Sequence, residues 1–436
     1  MGKRLNLLLV AGVVMWSTTV LSQQVFRDLS SVLRYADTAS TRLKSGSIRE
    51  EQARKARLAA LISVADPQAN NSASFTNNTT LPVSILPADA FGGEPGASRE
   101  IRIGTRYNTA VVQSVEIKLL NPEGWANLRL SKVNLEMAQT DSRLTKKELY
   151  ENIAGAYFNI VQLQEQAASL RRNSAVSDSL LVIVRNKYAA GQVKQQDVND
   201  AEVNVLTLRE NARQLDFLCE QQRLALAVLI DLPADATLTV EQEMPALPSL
   251  KPEIGQNLLS ADAGRLKEDY ARLDYRRRKW SMLPTLSFVA NQGFNLYNEQ
   301  FSVTDGNWIS SNYVGLKLSV PLPTSRSIAD RFNARYDHEL AQQSARQAAL
   351  EAEQDNRNLS IEWDKAVSQW ESKTAIQALQ ADTYQKNRRL YTEGLIGLDR
   401  TLESLNTLIQ TDYDLVESKV DLMLAMAKIE INNQIR

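Results

Sequence analysis

The most regular pattern in the chain is a heptad repeat of apolar positions between Leu149 and Tyr188. Steps of four and three residues, taken alternately, meet an apolar or aromatic side chain at ten of twelve positions. This period predicts a long helix that packs along another helix in a coiled coil. After Gly191 the stripe resumes in a new phase from Val198 to Leu229. A glycine between two such helices predicts a left-handed helix end followed by an antiparallel return.

The arrangement of long helix, glycine turn and return helix occurs twice. Tyr391-Thr-Glu-Gly394-Leu-Ile lies 203 residues after Tyr188-Ala-Ala-Gly191-Gln-Val. The first long helix, predicted from Trp125 to Ala190, would be roughly 100 Å long at 1.5 Å per residue. Repeats of this length indicate a duplication and not a solenoid of short units. The predicted organisation is a first repeat at 23–231, a proline-rich linker at 232–252 and a second repeat at 253–436.

Ahead of each long helix the hydrophobic period changes to two, which predicts strands. We predict one long strand from 101 to 119, a weaker one from 75 to 85, and two more at 286–296 and 314–322. These strands give one hairpin at about 68–121 and another at about 284–322. One face is mostly apolar and the other polar or charged, which is typical of a transmembrane barrel. On the longest strand, Arg102, Arg106 and Lys118 alternate with the apolar side chains, and we expect them to face the lumen.

Four strands cannot close into a barrel, and an open strand edge is not tolerated in lipid. Other copies of the chain must therefore complete the barrel. No apolar run after the first residues approaches the roughly 20 residues of a membrane-spanning helix. Lys3 and Arg4, an apolar run from Leu5 to Trp16 and a more polar stretch to Ser22 predict a signal peptide at 1–22.

The composition argues against catalysis, cofactors and nucleic acid. A single cysteine, Cys219, rules out an intramolecular disulfide, and its place in the second stripe favours a small buried hydrophobe. A single histidine, His338, leaves nothing from which to build a His-based metal site or a Ser/His triad. The net charge of −1 argues against nucleic acid as a partner.

The order of these elements, given twice, resembles the TolC family of outer-membrane factors over nearly all of the mature chain. The segments that carry the resemblance are Ala156-Tyr-Phe-Asn-Ile, Lys187-Tyr-Ala-Ala-Gly-Gln-Val-Lys-Gln-Gln-Asp-Val, Leu226-Ala-Val-Leu-Ile-Asp-Leu-Pro and Leu283-Pro-Thr-Leu. The resemblance implies a mostly α fold with a β part, in which a homotrimer forms one twelve-stranded β-barrel on an α-helical barrel. The barrel would lie in the lipid of the outer membrane of a Gram-negative-type cell, with a long periplasmic extension.

The resemblance further implies a passive exit duct in a tripartite efflux or type I secretion system. The duct would open when a periplasmic adaptor protein and an inner-membrane transporter dock to it. The residues expected to dock the adaptor are those of the two glycine turns: Gly191, Gln192, Val193, Gly394, Leu395 and Ile396.

The resemblance also implies a gate, in which Tyr391 and Asp197 form a bond that locks the closed state. The alternative is that Tyr391 only packs in its helix seam and that Asp197 begins the next helix as an N-terminal acid. The family's best-known member carries an arginine two residues after the second glycine, and acidic residues six and nine after it. This chain has Ile396, Arg400 and Glu403 at those places. A charged constriction would then be formed by Asp197 and Asp200 of the first half, or by Asp399 and Glu403 of the second. The gate candidates are Asp197, Asp200, Tyr391, Arg400 and Glu403.

A trimeric coiled-coil surface protein of the adhesin type, without transport, is the alternative. It would explain the heptads, but it would explain neither the two separate hairpins nor the antiparallel return at Gly191. The pattern leaves open the cargo, the adaptor and the class of inner-membrane pump.

Overall fold

A computed structural model of the protein describes residues 23–92, 94–241 and 251–435. The predicted signal peptide and part of the predicted linker lie outside these ranges. The helices in the described part are α1 (Leu29–Ala39), α2 (Thr41–Ile62), α3 (Pro122–Ala189), α4 (Gln195–Leu229), α5 (Leu259–Trp280), α6 (Ser325–Thr392) and α7 (Leu398–Gln434). The strands there are β1 (Gln23–Phe26), β2 (Gln68–Asn77), β3 (Val83–Pro87), β4 (Ser98–Arg102), β5 (Tyr107–Leu120), β6 (Thr237–Val240), β7 (Thr285–Asn298) and β8 (Trp308–Ser319).

The chain divides into two compact units, and each unit takes segments from both halves of the sequence. The first unit comprises Met1–Lys44, Thr145–Asn257 and Gln354–Arg436, and the second comprises Ser45–Leu144 and Leu258–Glu353. No helix in the described ranges is both long enough and apolar enough to cross a membrane.

The first unit is helical, and its apolar seams are those that the heptads predict. The predicted long helix is confirmed as α3, which is 68 residues long. One buried cluster, called the tip core below, consists of Leu180, Leu181, Val184, Val198, Ala201, Val205, Tyr391 and Leu398. A second cluster consists of Leu170, Leu208, Ala212, Tyr384, Leu405, Leu408 and Ile409. The stripe fails at its last position, since Tyr188 is 45% exposed.

Two short strands and a helix break in the first unit escaped the sequence pattern. β1 pairs with β6 in parallel, and strands of four residues are too short to display an alternation. The segment ahead of the first hairpin forms two helices, α1 and α2, and not one. Asp231 explains where α2 begins, because its carboxylate accepts hydrogen bonds from the backbone N–H and the hydroxyl of Thr41, at 2.7 and 2.9 Å. This is a helix N-cap supplied from a residue distant in sequence.

The second unit contains a four-stranded antiparallel sheet in the order β2-β5-β7-β8. The prediction of one strand from 101 to 119 is wrong, because the chain is divided there into β4 and β5. Gly104 lies between them with a φ of +118°, a conformation that interrupts a strand and favours glycine. The weaker prediction at 75–85 is also wrong as a single strand, since β2 ends at Asn77 and β3 begins at Val83. β3 and β4 pair with each other in a separate two-stranded ribbon.

Candidate functional sites: the helical tips and the sheet

The two glycine turns close their helices in the same way. The Gly191 and Gln192 N–H groups donate to the carbonyls of Tyr188 and Lys187, each at 2.9 Å. The Gly394 and Leu395 N–H groups make the corresponding bonds to Tyr391 and Leu390, at 3.0 and 2.9 Å. Both glycines have a positive φ, of +71° and +79°. These are Schellman motifs, so the predicted left-handed helix end is confirmed in both halves of the chain.

Four of the six residues predicted to dock a partner carry a side chain, and these four divide into two groups. Gln192 and Leu395 are exposed, Leu395 by 68%. Val193 and Ile396 are partly buried and pack against the tip core. The exposed pair is therefore available for contact, while the other pair anchors each turn to the helices behind it.

A cavity of about 820 Å³ lies between the two tips and is lined by residues of both. Its charged lining residues are Lys187, Lys194, Asp197, Asp200, Glu393 and Asp399. Tyr391 lines the same cavity, so three of the five gate candidates come together there. Arg400 and Glu403 are not among its lining residues.

Tyr391 is held by packing and not by a hydrogen bond. Its side chain is 3% exposed, and the Lys187 ammonium lies 5.1 Å from the centre of its ring. Burial, with the charge of Asp197 as the smaller cause, raises the pKa of Tyr391 above its ordinary value. Within the described residues its buried hydroxyl has no hydrogen-bond partner.

Asp197 lies near Tyr391, but its carboxylate serves the start of α4. It accepts a hydrogen bond of 2.8 Å from the Lys194 backbone N–H, as the third residue of a capping box does. An acid in the first turn also interacts favourably with the helix dipole. The Tyr391–Asp197 bond that the family resemblance implies is therefore not formed within this chain.

The remaining gate candidates lie on the surface of the first unit. Asp200 is exposed. Arg400 and Glu403 face each other one turn apart on α7, with 3.4 Å between Nη1 and Oε2, and their side chains are 70% and 69% exposed. An exposed pair of this kind contributes about 0–1 kcal/mol to stability, and the role of these two residues in a gate stays a prediction.

Sequence reasoning missed a polar cluster that connects three helices of the first unit. The Asp412 carboxylate on α7 accepts hydrogen bonds from Ser169 and Asn173 on α3, at 3.3 and 2.9 Å, and from Gln377 on α6 at 2.9 Å. A second polar link joins Ser177 to Asn204 at 2.9 Å, and Asn204 to Asn406 at 3.1 Å.

A signal for the second link was present in the sequence. Ser174 and Ser177 are the two polar positions in the first heptad stripe. A polar residue at a seam position fixes the register of packed helices, at some cost in stability. Such a position therefore indicates a buried polar contact even before its partner is known.

One face of the sheet carries charge. The strand register places Glu116 and Lys118 of β5 and Lys317 of β8 on this face. Lys317 pairs with Glu116 at 3.2 Å, and Lys118 pairs with Asp66 at 2.6 Å. We call this face, with its many serine and asparagine residues, the polar face.

The other two residues predicted to face the lumen, both arginines, lie outside β5. Arg102 ends β4, in the separate ribbon, and Arg106 directly precedes β5. The Arg106 guanidinium lies 5.3 Å from the ring centre of Tyr107. That they line a lumen with Lys118 stays a prediction.

The opposite, apolar face of the sheet is uncovered in the single chain. On β8 it presents Val314, Leu316 and Leu318, all strongly exposed. The outer edges of β2 and β8 carry no further strand, because these two strands end the sheet order. Four strands in this arrangement leave both edges open.

The described residues contain no group of His, Cys, Asp and Glu side chains that could hold a metal ion. Cys219 is a buried free thiol, as its seam position predicts. Burial raises its pKa, and a thiol with a raised pKa is a poor nucleophile.

Comparison with known proteins agrees with this geometry. No model of a known protein family matches the chain. The chain is 24% identical over 333 residues to outer membrane protein TolC of Vibrio cholerae, which covers 72% of this chain and 75% of the relative. The crystal structure of the outer membrane protein VceC from Vibrio cholerae superposes with a TM-score of 0.77 at 15% identity, over 93% of this chain and 95% of VceC.

The chain has the fold of TolC-type outer-membrane channels. The Campylobacter jejuni CmeC outer membrane channel superposes with a TM-score of 0.69 at 15% identity, over 93% of this chain and 85% of CmeC. The Neisseria gonorrhoeae MtrE outer membrane channel, solved in its open state, gives a TM-score of 0.70 at 14% identity, over 93% of this chain and 88% of MtrE. The resemblance to TolC-type channels predicted from the sequence is confirmed.

Proposed function

We propose that the protein is an outer-membrane channel subunit that forms a passive exit duct in a tripartite efflux or type I secretion system. The sheet of the second unit carries the proposal. It has an apolar face, an opposite charged face and two open edges. A sheet with an apolar outside and a polar inside suits a membrane barrel, and only a closed barrel is stable in lipid.

The open edges support a homotrimer. β2 and β8 offer 10 and 12 residues of unpaired edge, and an edge of one copy can pair with the opposite edge of the next. Three copies of four strands would give the twelve-stranded barrel that the resemblance implies. The helix α4 supports the same conclusion, because Phe217, Leu224 and Val228 form an exposed apolar stripe at heptad spacing.

The tips support docking to a periplasmic adaptor and, through it, to an inner-membrane transporter. Gln192 and Leu395 are exposed on two turns with the same hydrogen-bond pattern, so two similar binding points are available on each chain. The relatives named above are channels or outer-membrane proteins, and we propose that this chain likewise has no catalytic activity. A stalk-like adhesin is disfavoured by the antiparallel returns at Gly191 and Gly394.

The decisive experiment compares one charge on each face of β8. Leu316→Lys places a charge on the apolar face, where a lysine near the bilayer midplane costs about 2–4 kcal/mol. Ser311→Lys places the same charge on the polar face and is the matched control. We expect Leu316→Lys to reduce the trimer recovered from outer membranes, and Ser311→Lys to leave trimer yield and planar-bilayer conductance intact. A wild-type protein that is a stable monomer without detergent would overturn the proposal.

A further inference from the structure

The hairpin of β7 and β8 carries opposite charges at its two ends. Where α5 leads into β7, the segment 276–283 begins with four consecutive basic residues and contains no acidic one. The loop between β7 and β8, residues 299–307, contains two acidic residues and no basic one. The basic end is the end at which the strands join helices, and under the proposed function this end faces the periplasm.

Two of the four basic charges at this end are neutralised within the chain. The guanidinium groups of Arg277 and Arg278 form ion pairs with aspartates, at 2.7 and 3.4 Å. The other two residues, Arg276 and Lys279, are exposed, and neither has an acidic partner among the described residues. The Lys279 ammonium lies 4.2 Å from the ring centre of Tyr275. Two positive charges are therefore left for another partner.

The helix α6 packs against α5 in the antiparallel direction. Near the sheet, Arg278 of α5 pairs with Asp330 of α6. Farther from the sheet, a Cβ added to Gly264 of α5 would lie 2.9 Å from the Cβ of Ala348 of α6. The residue numbers fall along α5 while they rise along α6, so the two helices run in opposite directions.

This packing brings a third exposed cation to the same surface. Lys279 follows Arg278 by one residue, and Arg331 follows Asp330 by one residue. Each step turns about 100° around its helix, and in an antiparallel pair the two steps turn toward the same side. Arg331 is exposed and has no acidic partner among the described residues. Lys279 and Arg331 therefore lie side by side next to the ion pair that joins the helices.

The helix dipole explains only part of this arrangement. A cation in the last turn of a helix interacts favourably with the dipole, and the effect falls off within that turn. Lys279 lies in the last turn of α5, whereas Arg276 precedes that turn. Arg331 lies in the second turn of α6, toward the positive end of its dipole. Since these cations share a surface and not a helix end, an anionic ligand explains them better.

Exposed apolar side chains adjoin the cations. Ile328 lies one turn before Arg331 on α6, and Leu283 follows the end of α5; each is 44% exposed. Long basic side chains lay their apolar stems along such surfaces and extend their charged ends to a polar layer. The combination of cations and apolar side chains beside a membrane strand fits lipid headgroups better than it fits the water of a channel.

We propose that Arg276, Lys279 and Arg331, called the basic patch below, bind the phosphate groups of anionic phospholipids such as phosphatidylglycerol. A guanidinium group binds phosphate through two parallel hydrogen bonds. Each basic residue close to an anionic membrane surface strengthens binding by about fivefold. The proposal rests on the proposed function, since the sheet must lie in a membrane for headgroups to reach the patch.

A fluorescent label beside the basic patch tests this lipid preference. In a Cys219→Ser background, Leu283→Cys carries the fluorophore, and the full-length protein is reconstituted in phosphatidylcholine vesicles that contain a minority of phosphatidylglycerol. A nitroxide near the top of the acyl chain is carried either by phosphatidylglycerol or by phosphatidylcholine, at the same mole fraction. The label at Trp308→Cys, at the acidic end of the hairpin, is the control within the same vesicles.

We expect the nitroxide on phosphatidylglycerol to quench the Leu283→Cys label at least about threefold more strongly than the nitroxide on phosphatidylcholine. The Trp308→Cys label should show no such preference. Replacing the three residues of the basic patch by glutamine should bring the preference at Leu283→Cys close to one. The matched control variant carries glutamine at Arg99, Arg102 and Arg106, at the other end of the sheet, and should keep the wild-type preference.

The outcomes separate this proposal from the proposed function. Equal quenching of the Leu283→Cys label by the two lipids, or a preference that survives the glutamine substitutions, would overturn the basic patch and leave the membrane barrel in place. Loss of trimer in the glutamine variant, without a lipid preference in the wild type, would assign the patch to a contact between copies of the chain. Absence of quenching by either lipid at both labels would overturn the proposed function itself. Val320→Cys, at a residue that is 57% exposed, replaces Leu283→Cys if that variant fails to assemble.

Discussion

The ring of Tyr391, and not its hydroxyl, is expected to hold the tip closed. The hydroxyl is buried without a partner in the described residues, so Tyr391→Phe removes a group that forms no hydrogen bond. Replacing such a group by hydrogen is near neutral or slightly stabilising. Tyr391→Ala removes a ring that is 3% exposed from the tip core. Truncation of a buried aromatic residue costs about 3–5 kcal/mol.

The expected result is therefore a separation of the two variants. In planar bilayers, Tyr391→Phe should keep the low conductance of the wild type, while Tyr391→Ala should raise it and lower the thermal stability of the trimer. The Lys187 contact changes little in this comparison, because a cation–π pair at a partly exposed site contributes only about 0.5–1 kcal/mol.

The repeat supplies a matched control. Tyr188 occupies the position in the first tip that Tyr391 occupies in the second, but its side chain is 45% exposed. Tyr188→Ala should leave both conductance and stability near the wild-type values. If Tyr391→Phe opened the channel as far as Tyr391→Ala, the reasoning would be wrong. The hydroxyl would then have to bond to an acceptor such as Asp197 in the assembled trimer.

Three further outcomes are expected. Gly191→Ala should lower the free energy of unfolding by roughly 1–2 kcal/mol in thermal denaturation, because residue 191 has a φ of +71°. A steric clash does not add to this, since an added Cβ would meet no neighbouring atom within 4 Å. Gly191→Asn should lower the free energy of unfolding by less than Gly191→Ala. Burial, with the Asp412 carboxylate, raises the pKa of Tyr413 to about 12. The stabilisation this gives is complete below pH 10 and is lost as the pH rises toward 12. Tyr413→Phe should therefore reduce the fall in the free energy of unfolding between these pH values. Cys219 should react with a thiol reagent only after unfolding, whereas an engineered Val203→Cys should react in the native protein.

Much of the helical part could be predicted because its signal is local. A heptad stripe of apolar residues specifies which side of a helix is buried, whatever helix it packs against. The turns at Gly191 and Gly394 could also be predicted, since a left-handed helix end favours a residue that has no Cβ. The apolar and polar faces of the sheet could be predicted as well, because successive side chains of any strand point to opposite faces.

The strand boundaries and the partners of the polar residues depended on the tertiary structure. Alternation continues through Gly104 without a visible break, yet the positive φ there separates β4 from β5 and gives β4 a different partner. The family pattern pairs Tyr391 with Asp197. In this chain the Asp197 carboxylate instead accepts a hydrogen bond from the Lys194 backbone N–H and caps the start of α4. The sequence by itself determined which side of each long helix is buried and where the two long helices turn back, because those properties depend on periods and single-residue sterics. Only the tertiary structure decided which polar groups of different helices bond to each other, because bonds such as that from Asn173 to Asp412 join segments far apart in the chain.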